Sequence, residues 1–383
     1  MRICFVSVMG GTPWGGSEEL WYRTALLALG HGHEVIISVF EWPDEVPQIA
    51  ELREKGTQVH YRHHPFRTNG QSLSLAKRVV RRLRKPPPLF LREIQEVQEM
   101  EPDVICISQG ATHDLFSFKG LQNLLSFKKC VLISNGSQEN YIPDDTIITL
   151  AKKYYPKIHS CVFVSKRNKN LTELQICQKL SNAKVIYNIF ESPGASVLSL
   201  PPKDKECIQF ALVGRIQCNH KGHHILLEIL SGRNWAKRNW KLNIFGQGSD
   251  EPFVRELILF LGLKDRVVIH GQVESKKEIW DKNHILLLPS FYEGTPLVLI
   301  EAMSHGRPAV INDVGGNSEI AKHNATAFIS EAPTKRHFEM AMENAWNHIF
   351  EWENMGIKAK KRISELSKIT GQQQLFDILV NEN

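Results

Sequence analysis

The chain has 383 residues, 42% of them hydrophobic and 23% charged, with a formal net charge of +6. That composition excludes a collagen, a coiled coil or a disordered chain, and the length predicts two domains rather than one core. The charge is too mild for a nucleic-acid binder lacking a recognisable module, so nucleic acid is not an expected partner.

Residues 2–8, Arg2-Ile3-Cys4-Phe5-Val6-Ser7-Val8, form a run too short for a leader's apolar core and read as a first buried strand. Gly15-Gly16-Ser17-Glu18 then opens an amphipathic helix expected over Glu18–Leu29, with His31 and His33 as structural residues at its end. Further short apolar runs predict strands at 33–39, 58–61, 103–107, 130–134, 160–164 and 184–187. Between them, the basic run 77–85 ends at three prolines. It fits a solvated helix face or, alternatively, a patch for peripheral contact with anionic membrane or an acidic acceptor. The Pro- and Gly-containing stretch 191–206 marks the domain boundary.

A second series of strands is expected at 207–213, 241–245, 266–269, 284–288 and 308–312, alternating with helices over Gly222–Leu230, Glu251–Leu261 and Leu297–His305. Strands alternating with helices predict α/β architecture, two doubly wound parallel sheets facing a central cleft lined by the carboxyl ends of their strands. The domains are expected at 1–190 and 191–360. The segment 332–383 is helical in pattern, with Trp346, Trp352 and Phe376 as its expected core anchors. The seven cysteines are scattered and odd in number, which fits a reducing, cytoplasmic setting. No run approaches the length of a membrane helix.

The chemistry concentrates in the second half. After the apolar run 284–288, Glu293-Gly294-Thr295-Pro296-Leu297 leads into a helix carrying Glu301. Free amides at such a helix start suit a diphosphate, Gly294 lets a ligand approach the backbone, and Glu301 can accept hydrogen bonds from a diol such as ribose. Earlier, Gly214-Arg215 and Lys221 offer a planar fork and a compact cation to one anion. No Asp-x-Asp is present to hold a divalent ion, so no metal and no cofactor is expected. Each feature has a plainer reading: Glu293 as a helix-start acid, Glu301 and the cations as solvated surface, Gly15-Gly16 and Gly246-x-Gly248 as turns. His220, His223 and His224 fit a solvated loop better than added positive charge.

Taken together, Gly214-Arg215…Lys221-Gly222, Gly246-Gln247-Gly248, the Glu293…Glu301 pair, Val314-Gly315-Gly316 and the N-terminal Gly15-Gly16 resemble glycosyltransferase family 4, the retaining enzymes of GT-B fold. The resemblance implies a transferase moving a sugar from a UDP- or GDP-type donor to a glycan, glycolipid or small acceptor, as in polysaccharide biosynthesis. It assigns Glu293 to the donor sugar, Glu301 to the ribose, and Arg215 with Lys221 to the diphosphate. It also implies base contacts through backbone around Gly271-Gln272-Val273, and a last helix that crosses back to the first domain over 360–383. Many members carry a histidine in an N-domain loop after the fifth or so strand; that loop here has none, leaving His113, Asn135 and Ser137 as candidate cleft residues. His113 also reads as a capping neighbour of Asp114. The other readings are an epimerase or phosphorylase on the same scaffold, or a nucleotide-sugar-binding protein that has lost activity.

Overall fold

A computed structural model describes residues 1–63, 88–117, 120–127, 129–189, 207–273 and 275–381. The basic run 77–85 and the boundary stretch 191–206 lie outside the described residues. The chain divides into two compact units, Met1–Asn188 with Gly371–Asn383, and Ile189–Thr370.

The first unit is built on seven strands: β1 (Arg2–Ser7), β2 (Glu34–Phe40), β3 (Gln58–Arg62), β4 (Val104–Ala111), β5 (Cys130–Gly136), β6 (Ser160–Phe163) and β7 (Ala183–Val185). They form one parallel sheet in the order β3-β2-β1-β4-β5-β6-β7. The central strands are buried on both faces, which is why their sequences run as continuous apolar stretches instead of alternating. Cys4 pairs with Ile36 on one side and Ile105 on the other, fixing the register of the middle of the sheet. The helix Glu19–Gly30 covers the sheet through Leu20, Trp21 and Ala25, and Gly32 (φ 78°) turns the chain back.

The chain comes back to this unit at Gly371, not near residue 360. The helix Trp352–Leu366 stays in the second unit because Met355, Ala359 and Ile363 are buried there. A Cβ on its Gly356 would come within 2.0 Å of the Gly306 carbonyl, so that packing is backbone on backbone. The helix Gly371–Val380 then buries Leu375, Phe376 and Leu379 in the first unit, where Phe376 stacks on the His31 ring with centroids 4.9 Å apart.

The second unit has six parallel strands: β8 (Ile208–Val213), β9 (Trp240–Phe245), β10 (Val267–Gly271), β11 (Ile285–Leu288), β12 (Ala309–Asn312) and β13 (Phe328–Ser330). Their order is β10-β9-β8-β11-β12-β13. Phe210, Leu212, Trp235, Trp240 and Leu287 share one core with Trp352, and Trp346 packs edge-on to Trp235. β13 is an element the apolar-run reading did not anticipate, because three residues carry no periodicity. The strand order reverses beside β8, so the loops leaving β8 and β11 diverge around a crevice at their carboxyl ends. In open α/β sheets that crevice is where ligands bind.

Candidate functional site

The loop after β8 is short and heavily hydrogen-bonded. Gly214 donates its amide to Phe245, and the turn Cys218–Lys221 is capped by Asp250, whose carboxylate accepts from the Cys218 amide at 2.7 Å. The turn ends at Gly222, in the left-handed conformation (φ 69°); a Cβ there would lie 2.3 Å from the Pro289 carbonyl. Only glycine permits that approach. It clamps the Lys221 loop onto the Pro289–Gly294 loop that follows β11, and the Phe291 amide donates to the His220 carbonyl at 2.8 Å across the same seam.

The clamp brings Lys221 and Glu293 together across 72 residues of sequence, Nζ to Oε1 at 2.6 Å, with side chains 13% and 8% exposed. Burial alone would raise the Glu293 carboxyl, but the Lys221 charge and hydrogen bond hold it below the ordinary carboxylate value. His220 lies flat on Tyr292, centroids 4.0 Å apart, with Nε2 donating to the Tyr292 carbonyl at 3.0 Å in the neutral tautomer. Burial, and then the Lys221 charge, bring the imidazole down to about 4; the Arg215 charge acts on it in the same direction and places that guanidinium in the same neighbourhood. His223 is fully buried and likewise brought down to about 4, chiefly by burial. These histidines are therefore packing residues, neutral near pH 7. The solvated loop expected from the sequence forms only in part: His223 is buried, while His220 and His224 stay partly exposed.

Behind Glu293, the turn after β12 provides a second backstop. Gly315 (φ 51°) is so close that a Cβ would sit 2.1 Å from the Glu293 carbonyl, and the Gly316 amide donates to Gly294 at 2.7 Å. Thr295 is buried, and the helix begins at Leu297. Pro296 stands just outside that helix as its N-cap, with an extended ψ of 97°. No side chain caps the helix start, and the first amides of a helix have no intrahelical acceptor.

Glu301 follows on the helix and its carboxylate pairs with Lys276 at 2.5 Å, 24% exposed. Lys276 was not singled out by sequence, where it is one lysine among many in a polar stretch. The structure thus gives the two glutamates different cationic partners. Gly246 and Gly248 lie in the turn after β9, where the Gly246 amide donates to the Gly271 carbonyl; Val273, partly exposed, is two residues beyond the end of β10.

In the first unit, Gly15 accepts the Glu18 amide in the turn before the first helix, and Gly16 is exposed. His113 is 2% exposed, with its Nδ1 3.0 Å from the Tyr155 hydroxyl, and burial brings it down to about 4. It is a core residue with a left-handed backbone (φ 79°), and the neighbouring Asp114, raised to about 6 by burial, accepts the Ala111 amide. Asn135 donates to Ser108 and to the Gln109 carbonyl, and Ser137 is buried against Thr112 at 2.6 Å. Among the described residues no group of three or more His, Cys, Asp or Glu is arranged to hold a metal ion, and no helix is long and apolar enough to cross a membrane.

The structure superposes over 98% of its length on Anabaena HepE in complex with UDP and glucose, with a TM-score of 0.72 at 18% identity and 98% of that chain covered. It also matches the apo lipopolysaccharide outer core galactosyltransferase WaaB, TM-score 0.66 at 17% identity, over 99% of both chains. The fold is GT-B. Residues 208–348 match the family described as glycosyl transferases group 1. That segment holds β8 to β13 and thus Arg215, Lys221, Glu293 and Glu301. In sequence the chain is 33% identical over 145 residues to the lipopolysaccharide 1,6-galactosyltransferase of Escherichia coli, 37% of this chain and 39% of that protein. It is 30% identical over 198 residues to an uncharacterised glycosyltransferase of Methanocaldococcus jannaschii, 47% and 49% of the two chains. In both, the match spans less than half of the relative's length.

Proposed function

We propose that the GT-B chain is a glycosyltransferase that moves a sugar from a nucleoside diphosphate donor to a hydroxyl of a glycan, glycolipid or small acceptor, with retention and without a metal ion. The observation that carries this reading is the buried Lys221–Glu293 pair held in a glycine-built seam at the carboxyl ends of β8 and β11. An ammonium has three N–H donors, and Glu293 uses one of them; the others suit the oxygens of a diphosphate. Arg215 adds a fixed charge to the same neighbourhood. When the bond from the sugar's anomeric carbon to the β-phosphate oxygen breaks, negative charge grows on that phosphate, and fixed cations and helix amides meet it without reorganisation. The acceptor oxygen forms the new bond to the anomeric carbon, and its proton passes to the departing phosphate oxygen. Glu293, kept ionised, holds hydroxyls of the donor sugar, and Glu301 the ribose. The relatives named as galactosyltransferases and the neighbour binding UDP and glucose support a UDP-sugar as first donor to try.

The test is titration calorimetry with nucleoside diphosphates. Lys221→Ala and Arg215→Ala should each weaken binding by about 1.5–3 kcal/mol, the range for a hydrogen bond to a charged group. Unchanged affinity in both variants would remove these residues from the site. Slow donor hydrolysis should persist in EDTA; full loss restored by magnesium or manganese would overturn metal independence. An inverted anomeric configuration in the product would overturn retention.

A further inference from the structure

Lys276 is the first residue of the helix Lys276–Lys282, which Ser275 caps by accepting the Glu278 amide at 3.3 Å. Ile279 and Trp280 bury this short helix in the second unit. The Arg307 side chain donates to the Trp280 carbonyl at 2.8 Å, and the Trp280 indole is tilted over the His305 ring, centroids 6.5 Å apart. His305 donates through Nδ1 to the Glu301 carbonyl at 2.8 Å, at the end of the helix Leu297–Ser304. The helix that carries Lys276 is thus fastened to the one that carries Glu301, and the ammonium reaches the Glu301 carboxylate from a fixed base. Its Nζ meets Oε1, while Oε2 makes no hydrogen bond with any described residue. On the other side, Lys276 follows three residues after Val273, and the Gly271 carbonyl before it accepts the Gly246 amide at 2.7 Å. The backbone expected to meet the base and the carboxylate expected to meet the ribose are therefore joined through one lysine.

We propose that Lys276 is a positioning residue for the nucleoside end of the donor: by holding Oε1 it sets the Glu301 carboxylate to receive the ribose diol before the donor arrives. The inference rests on the reading above in which Glu301 takes the ribose. A glutamate on a helix face has several rotamers open to it, and fixing such a side chain costs up to about 2 kcal/mol. A cation already bound to one oxygen lowers that cost at the moment of binding. A carboxylate offers about four lone-pair positions. Lys276 takes one, so two hydroxyls can still be accepted. The lysine side chain is 58% exposed, so the ammonium stays hydrated and the pair is worth at most about 1 kcal/mol. That is enough to orient a side chain and too little to lock it away from a ligand.

The test is titration calorimetry on the full chain with UDP and GDP, each beside its dideoxyribose analogue, which keeps the base and the diphosphate but has no diol to offer. For the nucleotide that binds, K276M should weaken affinity by about three- to fivefold, the most an exposed ion pair supplies, and leave the dideoxy analogue unaffected. K276R should restore the affinity, because it returns a cation to Oε1. In a Glu301→Gln protein, adding K276M should change nothing further. A helix that had merely shifted would weaken both ligands alike, so equal losses would overturn the proposal. Tighter nucleotide binding in K276M would also overturn it, by showing that the lysine competes with the ribose. If K276M binds as the unaltered chain does while Glu301→Gln loses the preference for the diol, Lys276 has no such role and the ribose reading stands. If the unaltered chain binds the ribose and dideoxyribose forms equally, or binds neither, the ribose reading itself fails and the role of Lys276 with it.

Discussion

Lys221 and Glu293 illustrate how a buried ion pair differs from a surface one. Surface pairs contribute about 0–1 kcal/mol, but removing one partner of a buried pair strands the other charge and costs about 3–5 kcal/mol. Lys221→Met alone, or Glu293→Gln alone, should therefore lower stability by roughly that amount. The double substitution should recover much of the loss, since it leaves no unpaired charge. Urea melts of the four proteins give the coupling energy; additive single losses would show that the pair is not a unit. The Glu301–Lys276 pair is the internal comparison, because Lys276 is 58% exposed. Removing that lysine should change stability by less than about 1 kcal/mol. Sequence singled out both glutamates and Lys221 as candidates. It could not show that Glu293 leans on Lys221, because the contact spans 72 positions and depends on two glycines setting how closely the loops approach.

Among the elements, the strands were the most legible and the turns that join them the least. Buried parallel strands announce themselves as apolar runs, so β1 to β12 fell where those runs predicted; only the three-residue β13 was missed. The turns depend on backbone proximity, which side-chain chemistry does not encode. Gly315 and Gly262 make the point, since both have positive φ (51° and 69°), but a Cβ on Gly262 would meet nothing within 4 Å while one on Gly315 would strike the Glu293 backbone. Gly262→Ala should cost about 1–2 kcal/mol, the left-handed penalty alone. Gly315→Ala adds a backbone clash and should exceed about 3 kcal/mol, and it should also displace Glu293. Thermal melts order the two variants, and equal losses would mean that the β12 turn can move away from Glu293 at no cost. His223 was misread for the same reason, since nothing in its neighbours in sequence announces that it is buried.

For the whole molecule, three histidines that burial holds low shape the response to acid. His113, His220 and His223 titrate at about 4 in the folded chain against an ordinary 6.5. As pH falls below 6.5 the unfolded chain takes up protons that the native state refuses. The contribution of these rings is thus intact above 6.5 and declines toward pH 4, by up to about 1.4 kcal/mol per pH unit for each histidine, and Asp114, raised to about 6, offsets the loss of one of them. Glu293, held low in the native state, adds a loss at the acid end as it too is protonated. Melting temperature should fall steadily between pH 6.5 and 4; a flat profile over that window would show that the rings reach solvent. The division of the chain has a consequence of another kind. The helix Gly371–Val380, which seals the first unit against Leu20 and Ile186, is synthesised only after every residue of the second unit. The N-terminal sheet must therefore wait with its flank bare until the ribosome has made the whole of its neighbour, and a nascent chain that stalls before residue 371 carries that open flank with it.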